Sequence, residues 1–259
     1  MRLGFALRAT QVAAALLVTA APAIAQTPVC ETPANIVRLN NTLPRVAMKL
    51  AAGQPITIVA IGSSSTAGAG ASTPANSYPS RLQVFLSEQF PRQKFNVINR
   101  GVNGEEIKDM LTRLDSTVLS EKPDLVLWQL GTNSVLRDHP TDQGAAIREG
   151  ISRIKLAGAD VVLIDPQFAP KVIAKTQCMK MVEMIGTTAK SENVQVFQRY
   201  ELMRHWHVAR AMSFETFISP DGLHLNDWSY NCWAKGLATA IAEAATRPVL
   251  SATAAPAAR

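Results

Sequence analysis

The run Ile56-Thr57-Ile58-Val59-Ala60-Ile61 is apolar and β-branched, and it stops abruptly in Gly62-Ser63-Ser64-Ser65-Thr66-Ala67-Gly68. Such a run reads as a buried strand, and its ending delivers small hydroxyl residues into a tight turn. The pattern recurs along the chain. Phe95 to Asn99, Leu125 to Leu130, Val161 to Ile164 and Val194 to Phe197 read as further short strands, and Val161 to Ile164 is apolar throughout, as in a strand covered on both faces. Between them, three- and four-residue spacing of apolar side chains predicts helices over about Tyr78 to Phe90, Glu105 to Leu119, Thr141 to Ala157 and Lys175 to Lys190. A last helix follows Asn226 or Asp227, either of which has the side chain to cap it. Strand and helix in alternation predict an α/β chain with a mainly parallel five-stranded sheet between two layers of helices.

The ends read differently. Arg2 and Arg8 precede the apolar stretch Val12 to Ala21, and Ala23-Ile24-Ala25 offers a small-residue cleavage pattern, so residues 1–25 are expected to be a cleaved secretory signal. The stretch is about half the roughly twenty residues that a membrane-spanning helix needs, so no stable membrane insertion is expected. The expected product is exported, periplasmic or extracellular. Residues 26–55 form a packing arm interrupted by Pro44, residues 56–246 the main domain, and residues 247–259, rich in Ala, Pro and Thr, a disordered tail. Without Arg2 and Arg8 the chain keeps 24 basic residues against 20 acidic, scattered rather than clustered, which gives no reason to expect a nucleic-acid partner. Oligomeric state is not legible. Of three cysteines, export permits a disulfide, and Cys30 with Cys232 is the expected pair because it tethers the arm to the last helix and closes the longest loop.

Four polar clusters stand at carboxyl ends of strands or just before the last helix: Gly62 to Gly68, Asn99-Arg100-Gly101-Val102-Asn103-Gly104, Gly131-Thr132-Asn133, and Asp221-Gly222-Leu223-His224. In an open parallel sheet that edge is where ligands bind, so the four are expected to converge. A serine hydroxyl is inert at neutral pH without a base and oxyanion donors, and these clusters hold candidates for both. Asp221 and His224, three apart, can place a carboxylate on one imidazole nitrogen while the other faces a serine. Spacing alone does not separate Ser63, Ser64 and Ser65.

In order and composition the four clusters resemble the motif blocks of the SGNH hydrolases, the superfamily of the GDSL-type esterases and lipases. The resemblance covers about residues 56 to 245 and implies a flavodoxin-like fold with no cofactor. It implies Ser64 as nucleophile, His224 as base and Asp221 as the group orienting it, with the backbone N–H of Ser64 and Gly101 and the Asn133 amide as the oxyanion hole. Two positions depart from the pattern: Ser63 stands where Asp is usual, and Ser134 follows Asn133 where Asp is frequent. Neither is a nucleophile or an oxyanion donor, so both are read as changed supporting hydrogen bonds.

The implied activity is hydrolysis of a short acyl ester, acetyl above all, with a small ester or acylated carbohydrate as substrate. Lysophospholipase, thioesterase or acyltransferase chemistry uses the same acyl-enzyme, and a carbohydrate-binding or assembly protein would keep the fold without turnover. Arg204, Trp206, Phe214 and Phe217, close before the Asp221 loop, are candidate walls of the acyl pocket, and Gln167 after the fourth strand a candidate substrate contact. His205 and His207 flank Trp206 with no third ligand evident, so no metal is expected.

Overall fold

The computed structural model describes residues 28–140 and 142–248. The expected signal segment, Thr141 and the tail beyond residue 248 lie outside them. Five parallel strands, β1 (Ile56–Gly62), β2 (Phe95–Gly101), β3 (Leu125–Gln129), β4 (Asp160–Ile164) and β5 (Gln195–Phe197), form one sheet in the order β2-β1-β3-β4-β5. Ile58, Val59, Ala60, Ile61, Leu125, Val126, Leu127, Trp128, Val162, Leu163 and Ile164 are all fully buried, as helices on both faces require. Each large apolar side chain removed from water in this way contributes roughly 1.5–3 kcal/mol before entropy is set against it.

The helices fall into two groups by contact. Tyr78–Gln89 and Pro44–Ala51 pack on the long Asp227–Thr246 helix, whereas Gly144–Leu156 joins Ile107–Thr112 and Cys178–Ser191. Asn226 caps the last helix, its side chain accepting from the Ser229 N–H at 3.1 Å while Ser229 Oγ accepts from the Asn226 N–H. In the arm, Pro44 begins a helix rather than breaking one, because the missing N–H at a first helical position has no partner to lose.

One expected helix is divided. The segment from Glu105 to Leu119 is a helix over Ile107–Thr112, a short turn over Leu114–Thr117 and a 3₁₀ turn from Leu119. Between the two, Arg113 leaves helical geometry and turns its guanidinium back to Glu105, to the Arg100 carbonyl and to Thr117. Apolar spacing continued through the break, so periodicity alone could not register it.

Strand order reverses between β1 and β3, the place in an open parallel sheet where two crossovers run in opposite directions and leave a crevice. Gly62 and Gly101 are partners in register, so the turns after β1 and β2 leave the sheet at one level. Cys30 and Cys232 are both disulfide-bonded, and Cys178 is free and buried.

Candidate active site

Ser64 opens a four-residue helix, Ser64–Ala67, at the end of β1. The turn is anchored from below by Gln129, the last residue of β3. Its Oε1 accepts from the Ser63 N–H at 2.9 Å, from Ser63 Oγ at 3.2 Å and from Thr66 Oγ1 at 3.3 Å, all buried. Ser63 is thus part of a neutral hydrogen-bond cluster around an amide oxygen. An aspartate there would put a carboxylate against that oxygen.

Across the crevice, His224 Nε2 lies 2.9 Å from Ser64 Oγ and His224 Nδ1 lies 2.5 Å from Asp221 Oδ2. With the Nδ1–H donating to the carboxylate, Nε2 is the acceptor for the serine hydroxyl. Asp221 Oδ1 also accepts the backbone N–H groups of Leu223 and His224, each at 2.9 Å. Partial burial works to raise the Asp221 pKa, but the bonds from His224 and Leu223 outweigh it and hold the carboxyl below its ordinary value. The loop is closed by an Ile218–Leu225 bridge and a 2.7 Å bond from the Ser219 N–H to the His224 carbonyl.

Asn133 sits on the Thr132–Leu136 helix that follows β3, and one hydrogen of its Nδ2 donates to the Glu105 carbonyl at 2.8 Å. That bond ties it to the turn after β2. In the same turn the Gly101 expectation is corrected. The Gly101 N–H donates to Asn99 Oδ1 at 2.9 Å, and Asn99 Nδ2 donates to the Thr66 carbonyl at 2.8 Å. A Cβ on Gly101 would stand 2.2 Å from the Ala67 nitrogen, so this glycine is where β2 and the Ser64–Ala67 helix touch backbone to backbone. Gly104, three residues on with φ +80°, adjoins Glu105, and its N–H has no protein partner among the described residues. The second glycine of the pair, not the first, is the available donor.

Ser134 also has its partner in this turn. Its hydroxyl donates to Glu106 Oε2 at 2.8 Å, and the same carboxylate takes Arg137 Nη1 at 2.5 Å and His139 Nδ1 at 3.0 Å. Burial pushes the Glu106 pKa up, but the His139, Arg137 and Ser134 bonds carry it below the ordinary value. Arg137 Nη2 also holds the Gly104 carbonyl at 2.9 Å. The carboxylate missing at position 134 is thus supplied by Glu106 from the adjoining turn.

Of the expected pocket walls, Trp206, Phe217 and Arg204 are elsewhere. Trp206 and Phe217 are fully buried and meet edge to face at 5.8 Å, with Trp206 Nε1 donating to the Glu31 carbonyl at 2.8 Å. Large rings stabilise most by leaving water, and here two of them do so packed against each other. Arg204 pairs with Glu201 at the surface. Gln167 is buried too: its Oε1 accepts from Thr132 Oγ1 at 2.7 Å and from Arg199 Nη2 at 2.9 Å, and its Nε2 donates to the Leu223 carbonyl at 3.4 Å. It braces the residues preceding Asn133 and His224 instead of reaching substrate. Arg199 is fully buried, with Nε on the Asp165 carbonyl and its guanidinium 5.0 Å over Trp233. Burial lowers its pKa to about 10 and raises that of Asp165 to about 7. His207 Nδ1 is 2.8 Å from the Met212 carbonyl and its ring stacks on Phe214 at 4.0 Å, while His205 Nε2 is 3.7 Å from Glu31.

Sequence reasoning missed Gln129, Glu106 and Arg199. Gln129 alone had a signal, a polar residue inside an otherwise apolar buried strand.

Comparison with known proteins gives the family. A family model described as the non-GDSL lipase-like family matches residues 29–247. An arylesterase from Vibrio mimicus is 30% identical over 149 residues, 57% of this chain and 70% of that relative. Among solved structures, a two-domain esterase active on acetylated mannans superposes with a TM-score of 0.69 at 20% identity, over 84% of this chain but 57% of its own, so the chain spans little more than half of that protein. An acetylxylan esterase from Geobacillus stearothermophilus superposes with a TM-score of 0.60 at 18% identity, over 72% of this chain and 94% of that one. With a family match over nearly all the described residues and four polar turns gathered at one sheet edge, the chain belongs to the non-GDSL lipase-like family, within the SGNH hydrolase superfamily.

Proposed function

We propose that the protein is an exported serine esterase, periplasmic or extracellular, that removes short acyl groups, acetyl above all, from a small ester or an acylated carbohydrate. The observation that carries this reading is the unbroken line of contacts from Asp221 through His224 to Ser64 Oγ. Ser64 Oγ attacks the ester carbonyl as His224 Nε2 takes its proton, giving a tetrahedral oxyanion. The oxyanion is met by the backbone N–H of Ser64 and Gly104 and by the second hydrogen of Asn133 Nδ2. As the carbon–oxygen bond to the alcohol breaks, the imidazolium gives its proton to the leaving oxygen. Water then attacks the acyl carbon as it loses a proton to His224, and the imidazolium returns that proton to Ser64 Oγ as the bond between them breaks and the acid leaves. Asp221, held ionised, stabilises the imidazolium at both stages. No step calls for a metal or cofactor.

The arylesterase relative supports ester hydrolysis, and the neighbours described as acting on acetylated mannans and acetylxylan support an acetyl ester as the substrate class. The test is a p-nitrophenyl ester series from acetate to decanoate, with Ser64→Ala as control. Fastest turnover on acetate, abolished by the substitution, is the expected result. Rates rising towards long chains overturn the short-acyl assignment, and full activity in Ser64→Ala overturns the nucleophile.

A further inference from the structure

The base loop has a second face. The loop and the chain on either side of it wall a cavity of about 630 Å³, within the range of small-molecule sites. Phe214 and Trp228 line it, both partly exposed. Each is fixed from behind: Phe214 stacks on His207 at 4.0 Å and on Phe168 at 5.8 Å, and Trp228 stands edge-on to Trp206 at 5.1 Å. Rings so held are rigid apolar platforms that lose little entropy on binding. The Glu215 carboxylate, exposed, adds a hydrogen-bonding group to the same lining.

The cavity adjoins the base. Gly70 lines it, and a Cβ there would lie 2.2 Å from the Leu225 carbonyl oxygen and 3.0 Å from His224 Cβ. Gly222 and Ser219, from the loop that carries Asp221 and His224, line it as well. The chemistry then fixes which part of the substrate comes here. His224 must hand its proton to the leaving oxygen, so the alcohol half of the ester lies on the base-loop side of Ser64. The carbonyl oxygen points away, towards Asn133 and Gly104.

We propose that this cavity is a subsite for a pyranose ring of the alcohol half, stacked on Phe214 and Trp228 with hydroxyls donated to Glu215. The proposal rests on the esterase reading above and gives it a substrate class. A sugar ring pairs an apolar C–H face, suited to the electron-rich face of an aromatic ring, with a rim of hydroxyls, suited to a carboxylate. An alkyl chain would leave Glu215 unused.

The experiment compares kcat/KM for two acetyl esters, acetylated xylotetraose and ethyl acetate, in wild type, Phe214→Ala, Trp228→Ala and Glu215→Ala. Losing a stacking ring lowers the ratio of the two about tenfold, mainly through the KM of the oligosaccharide. Glu215→Ala, at an exposed position where folding is not at stake, lowers it about threefold. A ratio unchanged in all three variants, or both esters losing rate in step, overturns the subsite. Calorimetric binding of unacetylated xylotetraose separates the two claims. If wild type cleaves neither ester the esterase reading fails, yet xylotetraose binding that weakens in Phe214→Ala and Glu215→Ala still supports the subsite, and no binding in wild type overturns it.

Discussion

The Ser64 turn and the His224 loop meet at one 2.9 Å hydrogen bond, but the first is held by buried groups from neighbouring strands and the second by its own backbone. Ser63, Ser65 and Thr66 are buried, and Gln129 reaches from β3 to take three of the turn's donors. Asp221, by contrast, keeps 43% of its side chain exposed and is fixed by the N–H groups of Leu223 and His224 two and three residues away. The difference is physical. In the proposed mechanism the Ser64 nucleophile needs an orientation set before substrate arrives, whereas the His224 imidazole changes charge twice per turnover and is served by a partner that stays solvated and ionised. Support of the first should therefore register in stability, and support of the second in rate.

The largest effect expected is Asp221→Asn. It lowers kcat about 10⁴-fold, because the amide favours the wrong imidazole tautomer, while the melting temperature stays close to wild type at so exposed a position. Steady-state kinetics beside calorimetry checks both, and a large loss of stability would break the contrast. Asn133→Ala comes next, lowering kcat about 10²–10³-fold with KM nearly constant, as loss of one oxyanion donor does. Equal effects on kcat and KM would mean that Asn133 serves ground-state binding.

Gln129→Leu tests the buried side. It leaves the Ser63 N–H and the Ser63 and Thr66 hydroxyls without their acceptor, a loss of about 3 kcal/mol and a melting temperature lower by roughly 10 °C. A variant as stable as wild type would show that Gln129 does not anchor the turn. The smallest effect is at Glu106, beside the oxyanion turn. Its folded-state pKa is below the ordinary 4.5, so its contribution is complete above that value and is lost as pH falls through the folded value. Glu106→Gln therefore flattens the acid side of a melting-temperature profile below about pH 4.5 and leaves the neutral region little changed. An unaltered acid slope would mean that the Ser134, Arg137 and His139 bonds are too solvated to matter.

Most of the fold was legible because both-face burial leaves strands apolar without alternation, a pattern that survives in the residues themselves. The limits were local. The Glu105 to Leu119 helix divides at Arg113, whose guanidinium is drawn back by Glu105 and by the Arg100 carbonyl, groups that sequence periodicity does not weigh. Of the site, the polar turns could be read as candidates. Which of two glycines offers its N–H could not, because the answer lies in an Asn99 side chain folding back on Gly101.

By itself the amino-acid order determined a parallel sheet with small polar turns at its carboxyl edge, since hydrophobic period and turn chemistry are properties of neighbours along the chain. Only the tertiary structure decided that Trp206 and Phe217 turn inward, that Gln167 braces two loops instead of meeting substrate, and that Glu106 supplies the carboxylate absent at Ser134. Those outcomes depend on which buried donor and acceptor come within reach of each other through space, and burial makes leaving either one unpaired costly.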